Sequence, residues 1–135
     1  MSVLFRGGRF GYTDGVNRTF AIGDIHGCRV ALETVLATVK PDAGDTVTTL
    51  GDYCDRGSDT RGIIERLIAL VDETHLVAIR GNHDLMLLEA RTADALYRRQ
   101  WERTVGGDAT VASYGGSLEN VPASHWRFLE NTLPY

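Results

Sequence analysis

Short strand-like segments alternate with longer segments of helical spacing over residues 19–80. The segments at 19–22, 46–50 and 75–80 each stop at a glycine followed by Asp or Asn, which predicts three strands that end in loops, the first of them an apolar, buried run. The segments 28–39 and 60–73 carry apolar residues at helical spacing and predict two helices. Their inward faces are expected to be Val30, Leu32, Val35, Leu36 and Val39 in the first helix, and Ile63, Ile64, Leu67, Ile68 and Val71 in the second.

This order of elements predicts an α/β fold. Strand, helix, strand, helix, strand is the pattern of a βαβαβ unit with right-handed crossovers and a mostly parallel sheet. In such a sheet the loops after the carboxyl ends of neighbouring strands converge. Residues about thirty positions apart in sequence are therefore expected to meet in one site.

The flanking segments follow other patterns. Residues 1–18 are rich in glycine and arginine, and we expect a flexible or hairpin-like N-terminal extension ahead of a domain over 19–135. After Asp84 the chain becomes more polar, and helices are predicted at 85–89, 93–101, 108–114 and 122–131. We expect this helical part to cover the site rather than extend the sheet.

Composition narrows the class of protein. With 135 residues, 43% hydrophobic and 24% charged, the chain is typical of one soluble globular domain. The net charge of -4 argues against a general nucleic-acid or membrane-surface partner. Two cysteines predict reduced thiols, and the sequence shows no apolar run of membrane-spanning length. A cytoplasmic location is the resulting expectation.

Three short polar motifs begin where the predicted strands end, and each combines glycine with a side chain that can bind a metal. They are Gly23-Asp24-Ile25-His26-Gly27, Gly51-Asp52-Tyr53-Cys54-Asp55-Arg56-Gly57 and Gly81-Asn82-His83-Asp84.

The first group of candidate residues consists of metal ligands. Asp24 and Asp52 offer carboxylates, His26 an imidazole and Asn82 an amide oxygen. Such mixed oxygen and nitrogen ligands suit Mn²⁺, Fe²⁺ or Zn²⁺. A carboxylate such as Asp52 can also bridge two ions at the spacing used for displacement at phosphorus.

The second group points to acid catalysis and phosphate binding. Asp55 can orient the His83 imidazole and hold it protonated as a general acid, while Arg56 offers a planar fork of donors to phosphate oxygens. Taken singly, each residue has an ordinary structural interpretation as a helix cap, a hydrogen-bonded histidine or a surface charge. Their joint occurrence in three successive strand-end loops favours a site.

These motifs resemble the signature of the calcineurin-like metallophosphoesterases, specifically the phosphoprotein phosphatase type, over residues 20–84. The later stretch from Gly106 to Trp126 resembles the cap region of bacterial members. The resemblance implies a two-sheet α/β/β/α sandwich. This chain is expected to carry its N-terminal half, namely the βαβαβ sheet followed by a helical cap segment.

The resemblance also implies a role for each matching position. Asp24, His26 and Asp52 would hold a first metal ion, and Asp52 and Asn82 a second, with Mn²⁺ expected and Fe or Zn as alternatives. A hydroxide that bridges the two ions would attack phosphorus. Asn82 would also contact the phosphate.

The catalytic pair in this resemblance is His83 and Asp55. His83 would protonate the leaving oxygen, Asp55 would orient its ring, and Arg56 would bind the phosphate.

Two departures from the family pattern bear on activity. The family completes its second metal with two further histidines after the cap, whereas here only His75 and His125 remain. Neither lies in a ligand motif, and both are interpreted as structural. Residues 1–135 alone are therefore expected to turn over an aryl phosphate weakly or not at all.

Substrate class stays open between three readings. The intact Asp55-Arg56 pair favours a phosphatase acting on phosphoserine or phosphothreonine proteins or small phosphate monoesters. Asp84, where protein phosphatases have glutamate, is common among dinucleoside-polyphosphate hydrolases, which are the alternative. A truncated or degenerate, non-catalytic member is the third hypothesis. Cys54 is interpreted as a small buried hydrophobe, and the oligomeric state is not predicted.

Overall fold

The computed structural model describes residues 3–6 and 17–134. Within these residues one sheet has the order β1-β2-β3-β4, and its parallel core confirms the predicted α/β fold because β2 pairs in parallel with β3, and β3 with β4. The strands are β1 (Val3–Arg6), β2 (Thr19–Ile22), β3 (Thr46–Thr49) and β4 (His75–Ala78).

The sheet contains a strand that the sequence pattern does not single out. Val3–Arg6 pairs antiparallel with Thr19–Ile22, which agrees with the hairpin-like rather than the flexible form expected for residues 1–18. The run has only four residues, and its backbone partner is supplied by a strand later in the chain. For residues 1–2 and 7–16 the prediction lies outside the described residues.

The helices follow the predicted order with shifted ends. The largest shifts are of three residues: the second helix ends at Leu70 rather than at 73, and the third begins at the motif residue Asn82 rather than after Asp84. None of the helices in the described part of the chain is long and apolar enough to cross a membrane. They are α1 (Arg29–Val39), α2 (Thr60–Leu70), α3 (Asn82–Ala90), α4 (Ala95–Gln100), α5 (Gly107–Ser113) and α6 (Ala123–Glu130), with a π-helical turn at Trp101–Val105 and a 3₁₀ turn at Leu118–Asn120.

Two residues assigned to inward faces lie outside the core. Val30 is 82% exposed, because it precedes Leu32 by two positions and therefore points to the opposite side of α1. Val71 is 57% exposed, because α2 ends at Leu70 and the chain turns away before another buried position is reached.

The C-terminal segment joins the sheet at one point. Leu133 forms a parallel bridge with Ile79, next to β4, so the expectation that this part only covers the site is wrong at its last residues. Arg80 fixes the segment, since its Nη2 donates to the carbonyl oxygens of Leu129, Glu130 and Thr132 at 3.1, 2.8 and 3.2 Å.

A buried ion pair supports the start of β3. Asp45 is 1% exposed, and its Oδ1 accepts from the Arg18 backbone N–H and from Nε at 2.9 and 3.0 Å. Its Oδ2 accepts from the Asp42 backbone N–H at 2.9 Å. These hydrogen bonds, led by the one from the Arg18 side chain, lower the pKa of Asp45 to about 2 from 3.8.

Asp45→Asn is expected to reduce stability only above acidic pH. Because the folded pKa is depressed, the stabilisation is present above pH 3.8 and is lost as the pH falls towards about 2. At pH 7 the loss should be about 1 kcal/mol, since the half-exposed Arg18 is screened by solvent. Urea unfolding of parent and variant at pH 7 and pH 2.5 measures this, and an equal difference at both pH values would contradict it.

Candidate metal and phosphate site

Backbone hydrogen bonds bring the first two motif loops together. The N–H groups of Ile25 and His26 both donate to the carbonyl oxygen of Asp52 at 3.0 and 2.7 Å, and Gly27 N–H donates to Tyr53 at 2.9 Å. The loops follow adjacent parallel strands β2 and β3, so they leave the sheet side by side. The contact explains how residues far apart in sequence share one site.

Glycine is required where the loops cross. A Cβ on Gly57 would lie 1.9 Å from the carbonyl oxygen of His26. A Cβ on Gly51 would lie 2.2 Å from the backbone nitrogen of Gly81, and Gly51 also has φ +99°. Any side chain at these positions would push the loops apart.

Four residues of the site have left-handed backbone conformations. The φ angles of His26, Asp52, Asp55 and Arg56 are 46°, 53°, 68° and 67°. Such conformations cost about 1 kcal/mol or more each for residues other than glycine, and they persist where the surrounding structure imposes them. The strain is concentrated in the two loops that carry the predicted ligands and the phosphate arginine.

Asp84 connects the second and third loops. Its Oδ2 accepts from the N–H groups of Asp52 and Gly81, both at 2.8 Å, and its Oδ1 accepts from Tyr53 N–H at 2.9 Å. Burial raises the pKa of Asp84 to about 6, against the lowering effect of these three hydrogen bonds. Asp84, which in the sequence marks only the substrate class, therefore joins the two loops through three backbone N–H groups.

Three side chains converge as a candidate metal site. The ligand atoms of His26, Asp52 and His83 all lie within 4.8 Å of one another. His26 Nδ1 donates to the carbonyl oxygen of Cys54 at 2.8 Å, which leaves Nε2 with a lone pair 3.9 Å from Asp52 Oδ2. Asp52 Oδ1 accepts from His83 N–H at 3.0 Å. The His26 and Asp52 donors, each held by a backbone partner, fit a divalent ion, whereas both ring nitrogens of His83 have side-chain partners.

The other two predicted ligands lie at the same edge of the sheet. Asp24 follows β2 and is exposed, and Asn82 is the first residue of α3 and is exposed. Among the described residues, the Asp24 carboxylate is outside the close group of His26, Asp52 and His83. The ligand roles of Asp24 and Asn82 stay predictions.

The predicted dyad is present as a buried contact. His83 Nδ1 lies 2.9 Å from Asp55 Oδ2, and the two residues are 3% and 0% exposed. Because the carboxylate can only accept when ionised, this distance places the proton on Nδ1. The other ring nitrogen, Nε2, lies 2.9 Å from Arg56 Nη2.

Arg56 contacts both histidines of the site. In addition to the contact with His83, its Nη1 lies 3.3 Å from His26 Nε2. A guanidinium only donates, so both Nε2 atoms accept. Its backbone N–H donates to the carbonyl oxygen of Gly106 at 3.0 Å, which ties this loop to the later helical segment.

Two residues of that helical segment enter the site without having been predicted. Trp101 Nε1 donates to Asp55 Oδ2 at 2.9 Å, and Thr110 Oγ1 donates to Asp55 Oδ1 at 2.8 Å. The signals available in sequence were the lone Trp in a polar stretch and the Gly106–Thr110 resemblance to the family cap, neither of which assigns a partner.

Cys54 and His125 are buried, as expected of structural residues. Cys54 is fully buried, which raises the pKa of its thiol well above the usual value and keeps it neutral. His125 is buried, with Nδ1 2.9 Å from Tyr114 Oη, and His75 is exposed at the start of β4. Cys28 is exposed.

Comparison with known proteins matches most of the chain to a known family. The model of the calcineurin-like phosphoesterase family matches residues 18–131. A solved structure of a candidate diadenosine tetraphosphatase superposes with a TM-score of 0.58 at 24% identity, and covers 90% of this chain and 45% of that one. This likeness shows the fold.

Curated relatives carry two different activities in their names. Serine/threonine-protein phosphatase 1 of Salmonella typhimurium is 39% identical over 75 residues, which are 55% of this chain and 33% of that protein. The symmetrical bis(5'-nucleosyl)-tetraphosphatase of Acidovorax is 40% identical over 72 residues, 53% of this chain and 25% of that protein. The chain thus spans a quarter to a third of the length of these relatives.

Proposed function

The chain belongs to the calcineurin-like phosphoesterase family, and on that premise we propose that its site hydrolyses phosphate monoesters, with phosphoserine or phosphothreonine in proteins as the substrate class. The observation that carries the proposal is the buried His83–Asp55 pair directly beside the His26–Asp52 group, with Arg56 in contact with both histidines. The groups that we propose to bind metal, to act as the acid and to bind phosphate therefore lie within one small region.

The proposed cofactor is a pair of divalent ions, with Mn²⁺ as the first choice. Asp24, His26 and Asp52 would hold one ion, and Asp52 and Asn82 the other. Bound there, the ions would act as Lewis acids that polarise the phosphoryl group and activate the attacking water.

The protein's own residues supply the rest of the chemistry. Arg56 would turn its planar fork from the two imidazoles to the phosphate oxygens, and Asn82 would contact the same phosphate. As a bond forms between the water oxygen and phosphorus and the ester P–O bond breaks, a proton held on His83 Nε2 would pass to the leaving alcohol oxygen. Asp55 would stabilise the imidazolium through Nδ1–H. The products are inorganic phosphate and the alcohol.

A second candidate is hydrolysis of dinucleoside polyphosphates. It is favoured by the identity of about 40% to proteins named symmetrical bis(5'-nucleosyl)-tetraphosphatase. The Asp55–His83 contact supports the monoesterase, since it equips the site to protonate a poor alkoxide leaving group.

Product analysis separates the two. The chain, with Mn²⁺ added, is incubated at high protein concentration with a phosphoserine peptide and with diadenosine tetraphosphate, and an Asp52→Asn preparation controls for contaminating phosphatase. Slow release of inorganic phosphate from the peptide is expected, because the second metal lacks its two further histidines. Production of ADP from the nucleotide with an untouched peptide would favour the second candidate, and no difference from Asp52→Asn on either substrate would refute both.

A further inference from the structure

We propose that Trp101 and Thr110 are positioning residues for the His83–Asp55 dyad. They would hold the Asp55 carboxylate and, through it, keep the His83 ring with its proton on Nδ1 and its Nε2 facing the site. The inference rests on the proposed function for its link to leaving-group protonation, but its geometric part concerns the protein alone.

The Asp55 carboxylate is surrounded by donors. Its Oδ2 accepts from both His83 Nδ1 and Trp101 Nε1 at 2.9 Å, and its Oδ1 accepts from Thr110 Oγ1 at 2.8 Å. Asp55 and Thr110 are 0% exposed and Trp101 is 2% exposed. A buried carboxylate rotates or takes up a proton unless its oxygens are hydrogen bonded. Trp101 and Thr110 hold one carboxylate oxygen each, so the Asp55 carboxylate cannot rotate without breaking a hydrogen bond.

Thr110 fixes the backbone as well as the carboxylate of Asp55. Its Oγ1 accepts from the Asp55 backbone N–H at 2.8 Å while it donates to Asp55 Oδ1. The one hydroxyl proton of Thr110 is thereby used, so the hydroxyl of Thr60, 3.1 Å away, donates to Thr110. These hydrogen bonds restrain Asp55, whose φ of 68° is in the left-handed region.

The indole of Trp101 is held in place by its surroundings. Trp101 begins the π-helical turn, a local distortion found frequently at functional sites. A Cβ on Gly107 would lie 2.3 Å from the indole, so the ring lies flat against a bare backbone. Its Nε1–H is therefore directed at Asp55 by packing.

The effect on His83 follows from the shared oxygen. When Asp55 is held in one position, the His83 Nδ1–H group can donate only to Asp55 Oδ2, and this hydrogen bond sets the orientation of the imidazole ring. Nε2 then faces the site, where Arg56 Nη2 reaches it at 2.9 Å. When Trp101 loses its donor, Oδ2 keeps only His83, and the carboxylate can turn away from the imidazole.

The first test reads the imidazole directly by ¹⁵N NMR of the 135-residue chain. Trp101→Phe keeps the ring but removes the donor, and Thr110→Val keeps the shape but removes the hydroxyl. In both, exchange of the His83 Nδ1 proton is expected to quicken about five- to tenfold, and the Nε2–H tautomer should appear. Trp126→Phe, a buried tryptophan that packs on Arg91, and Thr110→Ser should match the parent.

Two results of this measurement would overturn the proposal. One is a His83 spectrum in Trp101→Phe that is identical to the Trp126→Phe spectrum. The other is the failure of Thr110→Ser to restore what Thr110→Val loses. Backbone amide spectra of each variant establish that it is folded, and if Trp101→Phe does not fold, the Thr110→Val and Thr110→Ser pair decides.

The second test asks whether positioning affects leaving-group protonation. Trp101→Phe should slow hydrolysis of phenyl phosphate about tenfold, and 2,4-dinitrophenyl phosphate much less, because the better leaving group needs no proton. Equal slowing of both esters would overturn the link. If the parent hydrolyses neither ester, as expected when the second metal lacks its two further histidines, the NMR comparison alone decides whether Trp101 and Thr110 position the dyad.

Discussion

Replacing Asp52 by Asn is expected to weaken Mn²⁺ binding to the chain by about 100-fold. Even the loss of an outer partner of a metal ligand typically costs about 10- to 100-fold in affinity, and Asp52 is itself the charged oxygen donor beside His26 Nε2. The substitution is close to isosteric, and its amide oxygen can still accept from His83 N–H as the carboxylate does. Isothermal titration with MnCl₂ measures the change.

Asp72→Asn is the matched control for charge. Asp72 is exposed and lies beyond the end of α2. Asp72→Asn therefore removes the same charge at a position away from the site. Its titration should overlay that of the parent chain. Unchanged Mn²⁺ affinity in Asp52→Asn would contradict the ligand assignment of Asp52.

Replacing Asp84 by Ala is expected to lower the free energy of unfolding by about 3–5 kcal/mol. The N–H groups of Asp52, Tyr53 and Gly81 would lose their shared acceptor in a buried region, and each unsatisfied buried donor costs about 1–3 kcal/mol. This is a large part of the ~5–15 kcal/mol that stabilises a typical domain. Urea unfolding followed by circular dichroism at pH 7 measures the loss.

Asp94→Ala is the matched control for a lost acceptor. Asp94 Oδ1 also accepts from two backbone N–H groups, those of Leu96 and Tyr97, both at 2.9 Å. It is exposed at the start of α4, where water can replace it, so its loss should cost about 1 kcal/mol. Asp84→Asn should fall between the two, because one amide oxygen can keep part of the network. Equal losses in Asp84→Ala and Asp94→Ala would refute the organising role.

The parallel sheet could be predicted because its pattern is local. Each parallel strand is a short segment of strand-forming residues followed by a glycine, and each intervening helix has its own spacing. The predictions fail where the burial or the secondary structure of a residue depends on partners that are distant in sequence. Val30 is apolar yet exposed, since a helix only buries the side that faces the sheet. Val3–Arg6 becomes a strand because Thr19–Ile22 offers it an edge.

The residues of the candidate site also fall into one group that the sequence predicts and one that it does not. The loops that carry His26, Asp52 and His83 could be placed together from strand order alone, and the structure brings these three side chains within 4.8 Å. Trp101 and Thr110 act on Asp55 from 46 and 55 positions away. No spacing rule relates a helical cap to a strand-end loop, because that relation is created by tertiary packing.

The position of Arg56 would make the proposed metal binding and phosphate binding interdependent. Its guanidinium donates to the Nε2 atoms of His26 and His83, so it occupies the lone pair that His26 would give to a metal ion. A phosphate that attracted Arg56 would release that lone pair, and a metal ion that took the lone pair would release Arg56 for phosphate. By thermodynamic linkage the two ligands would then raise each other's affinity by the same factor. An arginine with one anchored backbone and two imidazole acceptors would thus couple the loading of the proposed cofactor to the arrival of the substrate.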